Sequence, residues 1–301
     1  MTLHLPCEKS VYSFSKDHSP AMTVSSPSRI TIETYDCFTN QLTSVESFST
    51  VDWEKINPAT GPIYIEDAEP GDILKVVIEE IEVDRRGILA TGPQIGVLGH
   101  RLEKLTAKAV PIEEGKAIFN EQIRIPLQPM IGVIGVAPAG DPISCGTPGS
   151  HGGNLDSKLI REGATLYFPV FAQGALFGLG DLHAAMGDGE IGGSGIEIPG
   201  KVTVQIEVIK GHQIPNPRLE NETHFVTIAS ASTLDQAVFT AVEEMIDELS
   251  PYFNLTLAEL TMLLSAVGET QVSQVVNPLK TARFAIPKWL LEQYKVTLYK
   301  N

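Results

Sequence analysis

The sequence has little cysteine, few basic residues and no long apolar run. Its 301 residues include 3 cysteines, and 22 lysines and arginines stand against 37 aspartates and glutamates, a formal net charge of −15. This charge repels phosphate backbones and anionic lipid surfaces, which argues against nucleic acid and membranes as partners. No apolar run reaches the roughly 20 residues of a membrane span, and the N-terminus lacks a signal-peptide pattern. We therefore expect a cytoplasmic protein with reduced thiols.

Several common catalytic motifs are also missing. The run Gly193-Ser194-Gly195 has the wrong spacing for a nucleophile elbow, no phosphate-binding loop ends in Gly-Lys-Ser/Thr, and the glycines of 187–195 follow no βαβ pattern. Cys145 stays open as a nucleophile, although a lone intracellular cysteine is more often a small buried hydrophobe. Cys37 is a weaker candidate because the neighbouring carboxylate of Asp36 raises a thiol pKa.

Apolar and β-branched residues alternate along much of the first two thirds of the chain. This period of two predicts strands at 28–36, 63–65, 73–83, 131–136, 165–173 and 201–209. The segment 57–62 carries two prolines and a glycine, which predict a fixed, non-helical path before the strand at 63–65.

The C-terminal third changes to helical periodicity. Thr233 with Gln236 and Thr256 with Glu259 predict capping boxes for two amphipathic helices, which end before Pro251 and at Gly268. Strands at 271–276 and 282–286 and a short helix after Pro287 complete the pattern. We predict a mainly β protein with an α+β element. A sandwich-like or barrel-like region at 1–200 carries the site loops, and an α+β region at 201–301 packs on it, with β segments that can intermix.

The first segment with candidate site residues is 148–156. Its glycines let the backbone approach a ligand closely, so we assign Gly152, Gly153 and Asn154 to substrate binding and His151 and Asp156 to a metal ion. The alternative is an ordinary exposed turn, because Gly, Ser, Asn and Asp are also the usual turn residues.

The second segment, 180–197, follows an apolar run and carries paired acids and a histidine. Asp181 and His183 lie two residues apart at the predicted end of a strand, on one face, where they suit a divalent ion. Zinc is the first choice, and calcium or manganese are alternatives. The predicted ligand set is His151, Asp181 and His183, with Asp36 or Asp156.

Further acids in this segment provide candidates for acid–base catalysis. Glu190 or Glu197, with Asp188 as a further candidate, would take a proton from water and pass it to a leaving nitrogen. The alternative is a solvated acidic loop in a chain that is acidic throughout.

The two segments resemble the acetamidase/formamidase family. Residues 151–156 and 180–190 carry the likeness, 57–62 and 69–72 support it, and it extends from about Arg29 to Glu292. The resemblance implies an amidohydrolase that converts short linear amides such as acetamide or formamide to carboxylate and ammonia. It also implies a mainly β fold and a homo-oligomer, a dimer or larger. Two alternatives remain, a metal-binding or ligand-binding β protein without turnover, and a hydrolase of another C–N substrate such as a cyclic amide.

Overall fold

The computed structural model describes residues 2–42 and 50–299, and strands dominate it. The strands up to residue 126 are β1 (Leu3–Leu5), β2 (Ser10–Val11), β3 (Ser13–Phe14), β4 (Met22–Val24), β5 (Ser28–Thr34), β6 (Ala59–Ile65), β7 (Ile73–Val83), β8 (Arg86–Thr91), β9 (Thr106–Glu113), β10 (Lys116–Ile118) and β11 (Arg124–Pro126). The later strands are β12 (Met130–Gly135), β13 (Ile143–Ser144), β14 (Gly152–Asn154), β15 (Thr165–Pro169), β16 (Phe177–His183), β17 (Gly200–Ile209), β18 (Arg218–Glu220), β19 (His224–Ala231), β20 (Glu269–Gln274) and β21 (Lys280–Pro287). The helices are α1 (Leu234–Leu249), α2 (Leu257–Val267) and α3 (Lys288–Gln293), with 3-10 turns at Trp53–Lys55 and Gly99–Arg101.

Two large sheets face each other as a β-sandwich. One has nine strands in the order β1-β5-β17-β7-β15-β18-β19-β21-β20, and the other has six, β14-β12-β16-β6-β2 with β4 beside β6. Ile30 and Val76 of the first sheet belong to one buried cluster with Ile63, Ile134 and Leu179 of the second. Burial of this apolar surface drives the packing of the two sheets. A four-stranded sheet, β11-β10-β9-β8, and the pair β13-β3 lie beside them.

The nine-stranded sheet draws strands from both sides of residue 200. Strand β17, which begins at Gly200, pairs with β5 on one side and with β7 on the other. The intermixing that the sequence leaves open therefore occurs in this sheet, and the division at residue 200 stays a prediction.

The strand predictions agree with the structure where the alternation is long. Strand β7 has the predicted bounds, and β5, β12 and β17 differ from the predictions by two residues or fewer at each end. The segment 57–62 is non-helical, as predicted, but the strand predicted at 63–65 begins earlier, at Ala59, where Ala59 and Thr60 pair with Val11 and Ser10 of β2. The predicted strand at 165–173 stops at Pro169.

The C-terminal helices begin at the predicted caps. Thr256 and Glu259 form the complete capping box of α2, and Pro287 precedes α3. Thr233 accepts a hydrogen bond from the Gln236 N–H, but the Gln236 side chain accepts one from Ser232, so the reciprocal half of that box differs from the prediction. In the described residues, no helix has the length and apolar character needed to cross a bilayer.

Candidate metal centre

The end of strand β16 carries the first two residues of the centre. All seven of its residues are buried, and it ends at His183, as the sequence predicts. A Cβ at Gly180 would lie 2.0 Å from the carbonyl oxygen of Pro58, so glycine is needed there for β16 to approach β6. Asp181 has a φ of 57°, in the left-handed region that non-glycine residues rarely adopt. This irregular backbone places Asp181 beside His183.

Neighbouring segments bring the remaining acids to the same place. Asp156 follows β14 with a φ of 42°, and Glu190 lies in the loop after β16 with a φ of 47°. Glu197 forms isolated bridges with Ile88 and His183, which fix it next to the end of β16. Three acids of the centre, counting Asp181, therefore have strained backbone, a feature that concentrates at functional sites.

The His183 imidazole lies at the middle of the acids. Its Nε2 is 3.2 Å from Glu197 Oε2, 3.6 Å from Asp181 Oδ1 and 3.9 Å from Asp156 Oδ1. These four atoms are buried, and none makes a hydrogen bond within the described part of the chain. Two ligands that each lie about 2.0–2.2 Å from one zinc ion are roughly 3–4 Å apart. The distances between the unsatisfied atoms thus match those between two ligands of one metal ion.

Two groups of ligand atoms meet at this centre. Asp156, His183 and Glu190 form one, and Cys37, Asp181 and Glu197 form the other, with all the atoms of each group within 4.8 Å of one another. The structure thus has room for one or two divalent ions among buried side chains.

Burial raises the proton affinity of the acids. It raises the pKa of Asp36 and that of Asp156 to about 6, the pKa of Glu197 to about 8, and that of Glu190 well above its usual value. The charge of Asp181 adds to each of these increases. Burial would lower the pKa of His183, but the carboxylates of Glu197 and Asp181 raise it well above its usual value. The centre therefore concentrates negative charge that a divalent cation would neutralise.

Neighbouring asparagines orient two of the acids. Asn277 Nδ2 donates to Asp156 Oδ2 at 2.7 Å and to the Asn154 carbonyl at 3.0 Å. The Asn40 N–H donates to Asp36 Oδ1 at 2.6 Å, so this carboxylate already has a partner beside the centre. Sequence reasoning missed Asn277 and considered Cys37 only as a nucleophile, because no local pattern connects either residue to 151–156 or 180–197.

His151 does not belong to either group of ligand atoms. It lies in the turn between Gly149 and Gly152, its ring is 5.3 Å from that of Phe14, and both of its nitrogens are buried without a hydrogen bond in the described residues. Burial lowers the pKa of His151 to about 4, so the ring is neutral at pH 7. Its predicted role as a metal ligand remains untested.

The residues assigned to substrate binding lie in and after this turn. A Cβ at Gly152 would lie 2.2 Å from the Ile134 carbonyl oxygen, and one at Gly153 would lie 2.3 Å from that of Thr147, so both glycines are needed for packing. Asn154 is buried, and its Oδ1 has no partner among the described residues.

Asp188 is paired with two basic residues. Its two carboxylate oxygens accept hydrogen bonds from Arg283 at 2.9 and 2.8 Å, and Lys158 lies 2.9 Å from Oδ2. Arg283 is buried, so this ion pair ties the loop that carries Glu190 to β21. The structure gives Asp188 a partner other than the centre.

Burial disfavours the thiolate form of both buried cysteines. Burial raises the pKa of the Cys145 thiol to about 12, and its Sγ faces the Val11 carbonyl oxygen at 3.6 Å. Burial and the charge of Glu197 raise the pKa of Cys37 well above its usual value, in the direction that the sequence predicts for a thiol beside acids.

Two pockets reach the centre. The Ile56 pocket has a volume of about 350 Å³, and its lining includes Cys37, Ile56, Ile95, Ser194, Val276 and Asn277. The Ile191 pocket has a volume of about 560 Å³, and its lining includes Leu89, Ile125, Met186, Glu190, Ile191 and Ser194. The first contains Cys37 of one ligand group and Asn277, the hydrogen-bond partner of Asp156, and the second contains Glu190 of the other group. Ser194 lines both pockets.

Comparisons with known proteins agree with the resemblance seen at the two segments. The sequence model of the acetamidase/formamidase family matches residues 8–145 and 142–288. The crystal structure of a predicted acetamidase/formamidase from Thermoanaerobacter tengcongensis is 51% identical, with a TM-score of 0.97 over 99% of both chains. That of an acetamidase from Bacillus halodurans is 46% identical, with a TM-score of 0.96 over 98% of this chain and 100% of the other.

A curated relative is longer. The match to the formamidase of Methylophilus methylotrophus has 24% identity and covers 56% of this chain and 55% of that protein, so the chain spans about half the length of this relative. Because the family model matches nearly all of the sequence, the chain belongs to the acetamidase/formamidase family.

Proposed function

We propose that this protein hydrolyses short linear amides to the carboxylate and ammonia at the buried centre around His183, with a divalent metal ion. The observation that carries the proposal is the convergence of three unsatisfied carboxylate oxygens on the Nε2 of His183. Membership of the acetamidase/formamidase family supports amides as the substrate class.

In this proposal Asp156, Asp181, His183 and Glu197 hold the ion. When bound, such an ion polarises a carbonyl and lowers the pKa of water toward neutrality. An imidazole among carboxylates favours zinc or manganese over calcium, which takes oxygen ligands. Asn277 orients Asp156 through its hydrogen bond to Oδ2.

We assign proton transfer to Glu190. Its carboxyl group is buried beside Asp156 and also lines the Ile191 pocket, so it connects the centre to a cavity. Glu197 is the weaker candidate because its Oε2 faces His183 Nε2 at 3.2 Å. Glu190 takes the proton of the attacking water and delivers it to the nitrogen, since ammonia leaves only after protonation. We assign the unpartnered Oδ1 of Asn154 as the acceptor of a hydrogen bond from the substrate NH₂ group.

We also propose a homo-oligomer in the cytoplasm. The exposed faces of α1 and α2 carry Phe239, Leu257 and Met262, each at least 64% exposed, and we assign these side chains to a subunit interface. The three free cysteines fit a reducing compartment. Light scattering during size-exclusion chromatography measures the assembly, and a monomer at micromolar concentration would contradict it.

The direct test follows ammonia release from formamide, acetamide and propionamide. We expect release by the metal-loaded protein, loss after chelation, and recovery with zinc or manganese. Glu190→Gln is expected to keep the ion and to lose activity by about a hundredfold or more. The exposed Glu162→Gln is the matched control and retains activity.

Two other outcomes would replace the proposal. Stoichiometric metal without turnover of any linear or cyclic amide would identify a binding protein. Ring opening of a lactam without hydrolysis of linear amides would identify a hydrolase of another C–N substrate.

A further inference from the structure

The Ile56 pocket is much larger than a short amide requires. Acetamide has four non-hydrogen atoms, whereas a pocket of about 350 Å³ falls in the range of about 300–1,000 Å³ that holds drug-sized ligands. Most of this volume therefore lies beyond the reach of the amide group itself.

The position of the pocket links it to the reacting centre. Cys37 in its lining also belongs to the ligand group of Asp181 and Glu197, and Asn277 in its lining donates to Asp156. The Ile191 pocket touches the centre through Glu190. The Ile56 pocket therefore adjoins the centre on the side of Cys37 and Asn277.

The wall of the pocket carries no charged side chain and is apolar along one part of its lining. The apolar side chains come from four separate segments, namely Phe38, Trp53, Ile56, Ala90, Ile95, Val276 and Pro278, and uncharged polar groups come from Asn57, Ser144, Thr147 and Ser194. Pro278 is exposed, so the pocket extends from the centre to the surface. The apolar part of this wall favours a hydrocarbon chain over a charged one, because no lining side chain carries a charge that would compensate it.

We infer that the Ile56 pocket holds the acyl group of the substrate, and that the preferred substrates are primary amides whose acyl chain is apolar and longer than acetyl. This inference rests on the proposed amide hydrolysis. The carbonyl and NH₂ groups lie at the centre, and the acyl chain extends along Ile56 and Ile95.

The test is kcat/KM across the series acetamide, propionamide, butyramide, pentanamide and hexanamide with the metal-loaded protein. Each methylene that enters an apolar pocket contributes about fourfold. We expect kcat/KM to rise from acetamide to at least pentanamide.

Two substitutions of one pocket residue locate the effect. Ile56→Trp fills the pocket and is expected to lower the pentanamide-to-acetamide ratio by about tenfold or more. Ile56→Ala enlarges it and moves the optimum toward longer amides, which keeps the test decisive if the tryptophan variant does not fold. Ile191→Trp adds the same bulk to the other pocket and leaves the ratio unchanged.

The outcomes separate this inference from the proposed function. If acetamide is hydrolysed but kcat/KM is flat or falls with chain length, the acyl-pocket inference is wrong and amide hydrolysis stands. If the ratio follows Ile191→Trp instead of the Ile56 variants, the other pocket holds the chain and the inference is again wrong. Absence of hydrolysis for every amide in the series would contradict both the acyl-pocket inference and the proposed amide hydrolysis.

Discussion

Gly132 faces the carboxylates of the centre with no side chain of its own. A Cβ there would lie 2.5 Å from Asp181 Oδ2 and 2.6 Å from Asp156 Oδ1. We expect Gly132→Ala to displace both acids and to lower metal content, with a loss of activity of about a hundredfold. Metal analysis after dialysis and an amide hydrolysis assay measure the effect. Gly140→Ala is the control, because a Cβ there meets nothing within 4 Å. Equal effects of the two variants would contradict this role of Gly132.

The two buried histidines differ in their neighbours. Three carboxylates surround His183, whereas Phe14 and the backbone of a glycine turn surround His151. We expect His183→Gln to lose the ion and His151→Gln to retain it, and metal-to-protein stoichiometry measures both. If His151→Gln loses the ion as completely as His183→Gln, His151 is a ligand, as the sequence analysis predicts.

At the scale of elements, one buried arginine ties the loop between β16 and β17 to β21. Arg283 donates to both carboxylate oxygens of Asp188, two residues before Glu190. We expect Asp188→Asn to lower the free energy of unfolding by about 1–2 kcal/mol, a discounted value because the Asp188 side chain is 31% exposed. The same variant is expected to lower kcat several-fold with little change in KM, because Glu190 moves.

Denaturant unfolding and steady-state kinetics test this role of the ion pair between Asp188 and Arg283. Lys158→Met removes the second, more exposed partner of Asp188 and is expected to have a smaller effect on stability. Complete inactivation of Asp188→Asn with unchanged stability would instead make Asp188 the catalytic acid or base.

Local sequence patterns predicted the elements whose causes are local. The strand 73–83 follows from alternation, and the start of α2 follows from Thr256 and Glu259, which are three residues apart. Only part of the centre comes from residues that are close together in the sequence. Asp181 and His183 share a strand, but Cys37 and Asn277 reach them through strand pairing and turns, which depend on the register of the sheets. Gly132 is special for the same reason, since its neighbours come from two other segments.

At the scale of the whole molecule, the buried acids make stability depend on pH. The pKa of Asp36 and that of Asp156 are about 6 in the fold, against 3.8 ordinarily, and that of Glu197 is about 8 against 4.5. The folded state thus binds more protons than the unfolded state, so this stabilisation is complete below about pH 4 and is lost as pH rises through 6 and 8. The pKa of His151 is lowered in the fold, so its effect on stability has the opposite dependence on pH. The stabilisation from His151 is lost as pH falls from 6.5 toward 4.

Between pH 6.5 and 8.5 the acids therefore determine how the stability of the fold changes with pH. We expect the Tm of the chelated protein to fall across this range. The metal-loaded protein is expected to show a smaller fall, because an ion stabilises the charged carboxylates. Differential scanning fluorimetry with and without chelator measures both slopes, and identical slopes would contradict a metal ion at this centre.

The left-handed backbone at Asp156, Asp181 and Glu190 also creates a trade-off between stability and activity. Each of these acids costs about 1–3 kcal/mol in that conformation, which glycine adopts freely. A library selected for heat resistance alone is therefore expected to accumulate glycine at these positions and to lose activity as it gains stability. Thermostable variants therefore need to be screened for turnover at every round, because some of the available gains in heat resistance lie at the proposed reaction centre.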